Sequence, residues 1–100
     1  MKPSDLIERG WCRSSRARDA EGKSCDPLAP QAISWCPLGA LEMAYGTGTP
    51  AFYDAALKLI GTVHNGEYDR LSIGLYIARW ADHPARQKED ILVAMRQVGL

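Results

Sequence analysis

The sequence predicts a mainly α protein: a compact bundle of four or five short helices with an irregular arm or small β-hairpin near residues 11–26. Three observations carry this. Apolar residues recur at helical spacing in several separate stretches of the second two-thirds of the chain. Those stretches are punctuated by helix starts and stops, such as Thr49-Pro50 and Gly46. Between Trp11 and Lys23, by contrast, no helical period exists. A length of 100 residues fits one domain spanning 1–100, with no room for a second core.

Element by element, Ser4 before Asp5, Leu6 and Ile7 reads as the cap of a first helix that closes at Gly10 by a left-handed exit. The arm then turns at Asp19-Ala20-Glu21-Gly22, which leaves an irregular hairpin and an ordered loop both open. Pro27 and Pro30 bracket a second turn. Ile33, Leu38, Leu41, Ala44 and Tyr45 then follow helical spacing, but a proline inside a helix removes a bond and clashes with the preceding turn. Pro37 therefore predicts a short turn ending at Cys36 and a helix starting at Pro37.

Thr49-Pro50 starts the next helix, with Phe52, Ala56, Leu59, Ile60 and Val63 as its buried stripe and His64-Asn65-Gly66 as its end. The stretch Leu71 to Trp80 fits a helix through Ile73, Tyr76, Ile77 and Trp80. It fits a strand through Leu71, Ile73, Leu75 and Ile77. Helix is the favoured reading. Asp82 is expected to cap a last helix from about Pro84 to Val98, with Ile91, Leu92, Met95 and Val98 inward. Its acidic start and basic end suit the helix dipole.

Composition narrows function. Twelve basic and twelve acidic residues cancel, and general nucleic-acid binding depends on neutralising phosphates with excess positive charge. No apolar run reaches the ~20 residues needed to span a bilayer, and the first residues lack a signal peptide's apolar stretch. Three cysteines, an odd number at irregular spacing, suit reduced thiols better than a disulfide framework. A cytoplasmic protein that binds no membrane is the expectation.

Catalytic patterns are weak. The cysteines and histidines lack the close pairing of a structural zinc site, so no metal or other cofactor is expected. Cys36, just before a helix, is the one candidate nucleophile, and a packed thiol beside a core tryptophan is the plainer reading. The carboxylate neighbours Glu89-Asp90, Glu67 with Asp69, and Asp19 with Glu21 point in different directions. Arg13, Arg16 and Arg18 form a local basic patch in a neutral protein. They are read either as a solvated surface paired with nearby acids or as an anchor for an acidic partner. Trp35 and Trp80 read as core, Trp11 and Tyr68 as interface residues.

Trp11, Ala17-Arg18-Asp19, Gly22, Pro27, Trp35-Cys36, Gly39-Ala40-Leu41, Ala44 and Trp80-Ala81-Asp82 together resemble a family of small bacterial and phage domains. That family carries a tryptophan, an Ala-Arg-Asp, a Trp-Cys ahead of a Gly-Ala-Leu, and a late Trp-Asn-Asp. Ala81 stands where the family has asparagine, and Pro37 is unusual beside the cysteine. The resemblance brings no reaction, but a setting in mobile elements. In size, charge and setting the chain also resembles the small anti-CRISPR proteins that block type I surveillance complexes without catalysis.

The expectation is therefore a non-enzymatic, protein-binding inhibitor. Its partner would be Cas subunits of a type I complex, met through Arg13, Arg16, Arg18, Trp11 and Tyr68. The alternative is a small enzyme or ligand-binding domain using Cys36, Asp19 and Asp82 in one cleft.

Overall fold

The computed structural model describes residues 1–63 and 72–100. In chain order it contains α1 (Pro3–Arg9), β1 (Ala17–Arg18), β2 (Ser34–Trp35), α2 (Pro37–Tyr45), α3 (Pro50–Val63), α4 (Ile73–Ala81) and α5 (Lys88–Gln97). The fold is mainly α with a small antiparallel sheet, as the apolar periodicity requires. Helix α2 is the hub, packed against α1, α3, α4 and β2, while α5 closes on α1 and α3. Ile7, Leu41, Leu59, Ile60, Ile77, Ile91 and Met95 are fully buried where these helices meet. Each such side chain contributes roughly 1.5–3 kcal/mol relative to an exposed position.

The arm is anchored along both edges of β2. On one edge β1 pairs antiparallel, with Ala17 opposite Trp35 and Arg18 opposite Ser34. On the other, a parallel bridge joins Trp11 to Trp35. There the Trp35 amide donates to Gly10 at 3.0 Å, and the Cys12 amide donates to Trp35 at 3.2 Å. The turn at Asp19–Gly22 is present, closed by the Gly22 amide on the Asp19 carbonyl at 3.0 Å. Trp35 is buried, and its indole N–H donates to the Pro27 carbonyl at 3.0 Å. What the sequence suggests as a turn before Cys36 is thus a strand, because two other segments satisfy its backbone.

Several boundaries are corrected. In α1 the first-turn carboxylate of Asp5 accepts the Lys2 amide at 3.0 Å, and Ser4 is buried inside the helix, so Ser4 is not the cap. Gly10 is extended, not left-handed. It is needed because a Cβ there would lie 2.3 Å from the Ile33 carbonyl oxygen. Ile33 itself is 53% exposed, outside the helical stripe it was assigned to.

The starts of α2 and α3 hold. Cys36 precedes α2 with its sulfur accepting the Gly39 amide, and the Thr49 hydroxyl accepts the Phe52 amide at 3.1 Å at the start of α3. In α4, Ile73 and Ile77 are buried while Leu75 is 52% exposed. A strand would have put all three on one face. The last helix starts at Lys88, not Pro84. Asp82 ends α4, and its carboxylate accepts an amide of the arm, so α5 is capped instead by Asp90 on the Gln87 amide at 2.8 Å. The predicted stop at His64-Asn65-Gly66, and Leu71, lie outside the described residues. Among those described, no helix is long and apolar enough to cross a membrane.

Candidate functional site

Two surface features follow from this packing. The first is a polar corner where the arm, the start of α2 and the end of α4 meet. It exists because Gly39 has no side chain: a Cβ there would sit 1.8 Å from the Arg16 carbonyl oxygen. That oxygen also accepts the Cys36 amide at 3.1 Å. Two residues earlier, Ser14 takes a left-handed backbone (φ 62°), and its amide donates to the Asp82 carboxylate at 3.0 Å. A non-glycine residue in that region costs about 1–2 kcal/mol, which the surrounding contacts must offset. The corner encloses an open cleft of about 190 Å³ lined by Ser14, Ser15, Arg16, Cys36, Leu38, Ala78 and Asp82.

The three arginines are each answered within the chain. Arg13 donates to the carbonyls of Pro84 and Arg86, and its guanidinium lies 4.6 Å from the centre of the Trp11 ring. Arg18 donates to Gly22 at 2.9 Å and to the Arg13 carbonyl at 3.1 Å. Arg16 meets both oxygens of Glu42 at 3.2 Å. Glu42 is buried, with a side chain only 4% exposed, and also accepts the Thr47 hydroxyl at 2.9 Å. The Arg16 side chain remains 55% exposed. Trp11 is half-buried, and its indole N–H is buried without a hydrogen-bond partner among the described residues. Tyr68 lies outside the described residues.

Cys36 and Asp82 do line one cleft. Asp19 does not: its carboxylate is committed to its own turn, accepting the Glu21 and Lys23 amides at 2.9 and 3.0 Å. Cys36 is buried, and burial pushes its thiol up to about 11, against smaller opposing effects of the Gly39 and Leu38 amides. Cys12 is also raised, first by burial, with Ser34 and Arg18 pulling the other way. Thiols held this way stay protonated at neutral pH and are poor nucleophiles. Among the described residues no group of three or more His, Cys, Asp or Glu is placed to hold a metal ion.

The second feature is an apolar depression of about 320 Å³ between α1, the 28–32 stretch and α2. Leu6 and Trp35 line it from the core, and Met1, Leu28 and Met43 line it while 65%, 47% and 43% exposed. The Arg9 side chain lines it too, and has no hydrogen bond or ion pair among the described residues. Sequence reasoning missed this site. The available signal was apolar residues outside any inward stripe: Met43 off the Leu41–Ala44–Tyr45 face of α2, and Leu28 between two prolines.

Of the residues that carry the resemblance, Trp35 and Ala44 line the apolar depression, while several others meet at the polar corner. Ala17 is fully buried under it, Arg18 ties the arm to itself, Cys36 and Gly39 form its floor and Asp82 its latch. No curated protein matches the chain, and no solved structure does. The family described as "Family of unknown function (DUF6197)" matches residues 4–99, and the chain belongs to it.

Proposed function

We propose that this protein is a non-catalytic binding domain that docks on a protein partner. Its specific form would be a phage-type inhibitor seated on Cas subunits of a type I surveillance complex, where it blocks target DNA recognition in the host cytoplasm. The observation that carries the binding reading is the apolar depression, with Met1, Leu28 and Met43 held partly in water around a tryptophan floor. Apolar surface gathered in one hollow gains free energy when a partner covers it, and methionines adapt to an irregular surface. The Arg9 side chain at the same hollow, with no ion pair among the described residues, could meet an acidic side chain of that partner. Neutral overall charge keeps the domain from holding nucleic acid non-specifically.

The enzymatic alternative draws on Cys36 and Asp82 lining one cleft. It is the weaker reading, because burial keeps the thiol protonated and Asp19 is engaged in its own turn.

The test is capture of a purified type I complex by the tagged protein, followed by target DNA binding of what is recovered. Recovery of Cas subunits with DNA binding lost, and loss of capture in Leu28→Glu and Met43→Glu, is the expected result. No recovery by the folded parent protein would sink the inhibitor reading. Capture lost in Arg16→Ala but kept in Met43→Glu would move the contact to the polar corner.

A further inference from the structure

The geometry points to Cys12 and Cys36 as a paired modification site: a dithiol that closes to a disulfide when it meets a low-molecular-weight disulfide oxidant. The register of the arm and β2 brings the two cysteines together. Trp35 donates its amide to Gly10 and accepts the Cys12 amide, the pattern of a parallel bridge centred on Trp11 and Trp35. The next residues along the two segments are Cys12 and Cys36. Side chains alternate between faces along extended backbone, so the two thiols leave the face opposite the tryptophans, side by side. Cys36 is still extended, with φ −81° and ψ 169°, immediately before α2 begins. Neighbouring strands lie about 4.7–4.9 Å apart, inside the roughly 4.4–6.8 Å between Cα atoms that a disulfide spans.

Both thiols are buried, and each has a weak local partner. The Cys12 sulfur donates to the Ser15 carbonyl at 3.5 Å, and the Cys36 sulfur accepts the Gly39 amide at 3.5 Å. Closing the bridge exchanges these two contacts for one covalent bond by rotation of side chains, with the backbone already in place. The cleft lined by Ser14, Ser15, Cys36 and Asp82 gives an oxidant its approach.

The chemistry balances as two exchanges. Burial makes both steps slow at neutral pH and faster as pH rises and the thiols ionise. The Cys36 thiolate, which lines the cleft, attacks one sulfur of oxidised glutathione, forming a mixed disulfide and releasing one glutathione thiolate. The Cys12 thiolate then attacks the Cys36 sulfur, closes the protein disulfide and releases the second glutathione. Two electrons pass to the oxidant, and the two thiol protons go to the departing glutathiones. The product ties the start of the arm to the start of α2. Cys25, which raises the Cys12 thiol slightly by its charge, is the competitor for pairing with Cys12. It follows the Asp19–Gly22 turn and pairs its amide with Ala17, away from the parallel bridge.

The experiment treats the folded protein with oxidised glutathione, alkylates the remaining thiols and maps the product by mass spectrometry. Trypsin leaves Cys25 and Cys36 on one fragment, so the Cys25→Ser variant is run beside the parent. The expected result is loss of two hydrogens, a fall from three alkylatable thiols to one, and a Cys12–Cys36 link in both chains. The closed form should melt about 10 °C higher, because the crosslink restricts the unfolded chain. Three free thiols after exposure, stable mixed disulfides only, or a Cys12–Cys25 link would overturn the assignment. A link that forms but lowers the melting temperature would show that the native register does not accommodate it.

Discussion

The polar corner and the apolar depression lie on the same small domain and are built on opposite terms. At the corner every conspicuous charge is answered internally: Arg13 by carbonyls of the 84–86 turn, Arg16 by Glu42, Arg18 by its own arm, and Asp82 by the Ser14 amide. In the depression, Met1, Leu28 and Met43 are left partly in water, beside an Arg9 side chain that has no ion pair among the described residues. Density of charge along the sequence therefore marks an architectural joint here, and the leftover apolar surface lies elsewhere, at the hollow proposed as the docking face. An exposed ion pair is worth little, whereas a charge pair with one buried member must be kept whole.

The sharpest way to break this contrast is Gly39→Ala. The added methyl would overlap the Arg16 carbonyl backbone, which has no flexible end to yield. We expect a loss of about 3 kcal/mol or more, read by denaturant unfolding. A loss under about 1 kcal/mol would mean that the arm is not pressed against α2, and the corner would cease to be a joint.

Next in size is the response to alkaline pH. Burial holds the Cys36 thiol at about 11 in the folded protein, above the ordinary value of about 8.5 in an unfolded chain. The unfolded state therefore loses its proton first. The contribution is fully present below about pH 8.5 and is lost as pH climbs towards 11. Stability should fall by a further ~2–3 kcal/mol across that window relative to Cys36→Ala, which lacks the titrating thiol. Parallel curves for the two proteins would place the thiol in water.

A smaller effect is expected at Arg16. Replacing it by alanine leaves the nearly buried Glu42 carboxylate with only the Thr47 hydroxyl. A loss of about 2 kcal/mol is expected, less than for a wholly buried pair because Arg16 is half in solvent. The Glu42→Gln change should recover most of it in the Arg16→Ala background, a coupling that a double-mutant cycle measures directly. Additive losses would show that the two side chains do not act as a pair.

The smallest stability effect belongs to the depression. Met43→Glu and Leu28→Glu are each expected within about 0.5 kcal/mol of the parent, since both side chains already face water. Their effect should appear only in capture of a partner. A substantial loss of stability from either would assign the depression to the core and remove it as a docking surface.

How much of this was legible depended on whether the deciding contact was local. Thr49-Pro50 and Cys36-Pro37 were readable because a cap and a first-turn proline act within three residues. The end of α4 was not, because the Asp82 carboxylate is taken by Ser14, 68 residues earlier, and a cap lost to a distant partner leaves no local trace. Ser4 misled for a related reason: it has the right chemistry for a cap, but Asp5 reaches the Lys2 amide instead. At the site, the enzymatic alternative requires Cys36, Asp19 and Asp82 in one cleft, and only Cys36 and Asp82 line it, with Asp19 held in its own turn. The arginines were named without the partners that occupy them, since carbonyls near residue 85 and a carboxylate at residue 42 are invisible from residues 13 and 16.

By itself the sequence determined the helix-rich class, the turn at Asp19–Gly22, the starts of α2 and α3 and the inward stripes of α3 and α5. These follow from apolar periodicity and short-range capping, which operate over one or two turns of chain. Tertiary structure alone decided that Ser34–Trp35 is a strand between two arm segments, that Gly10 and Gly39 are fixed by close approach, and that Arg13, Arg16 and Arg18 find partners within the chain. It also decided that three apolar side chains are left over at one hollow. Those outcomes depend on which distant backbone groups and surfaces meet, and the free energy of such meetings is set by packing in three dimensions, not by neighbours along the chain.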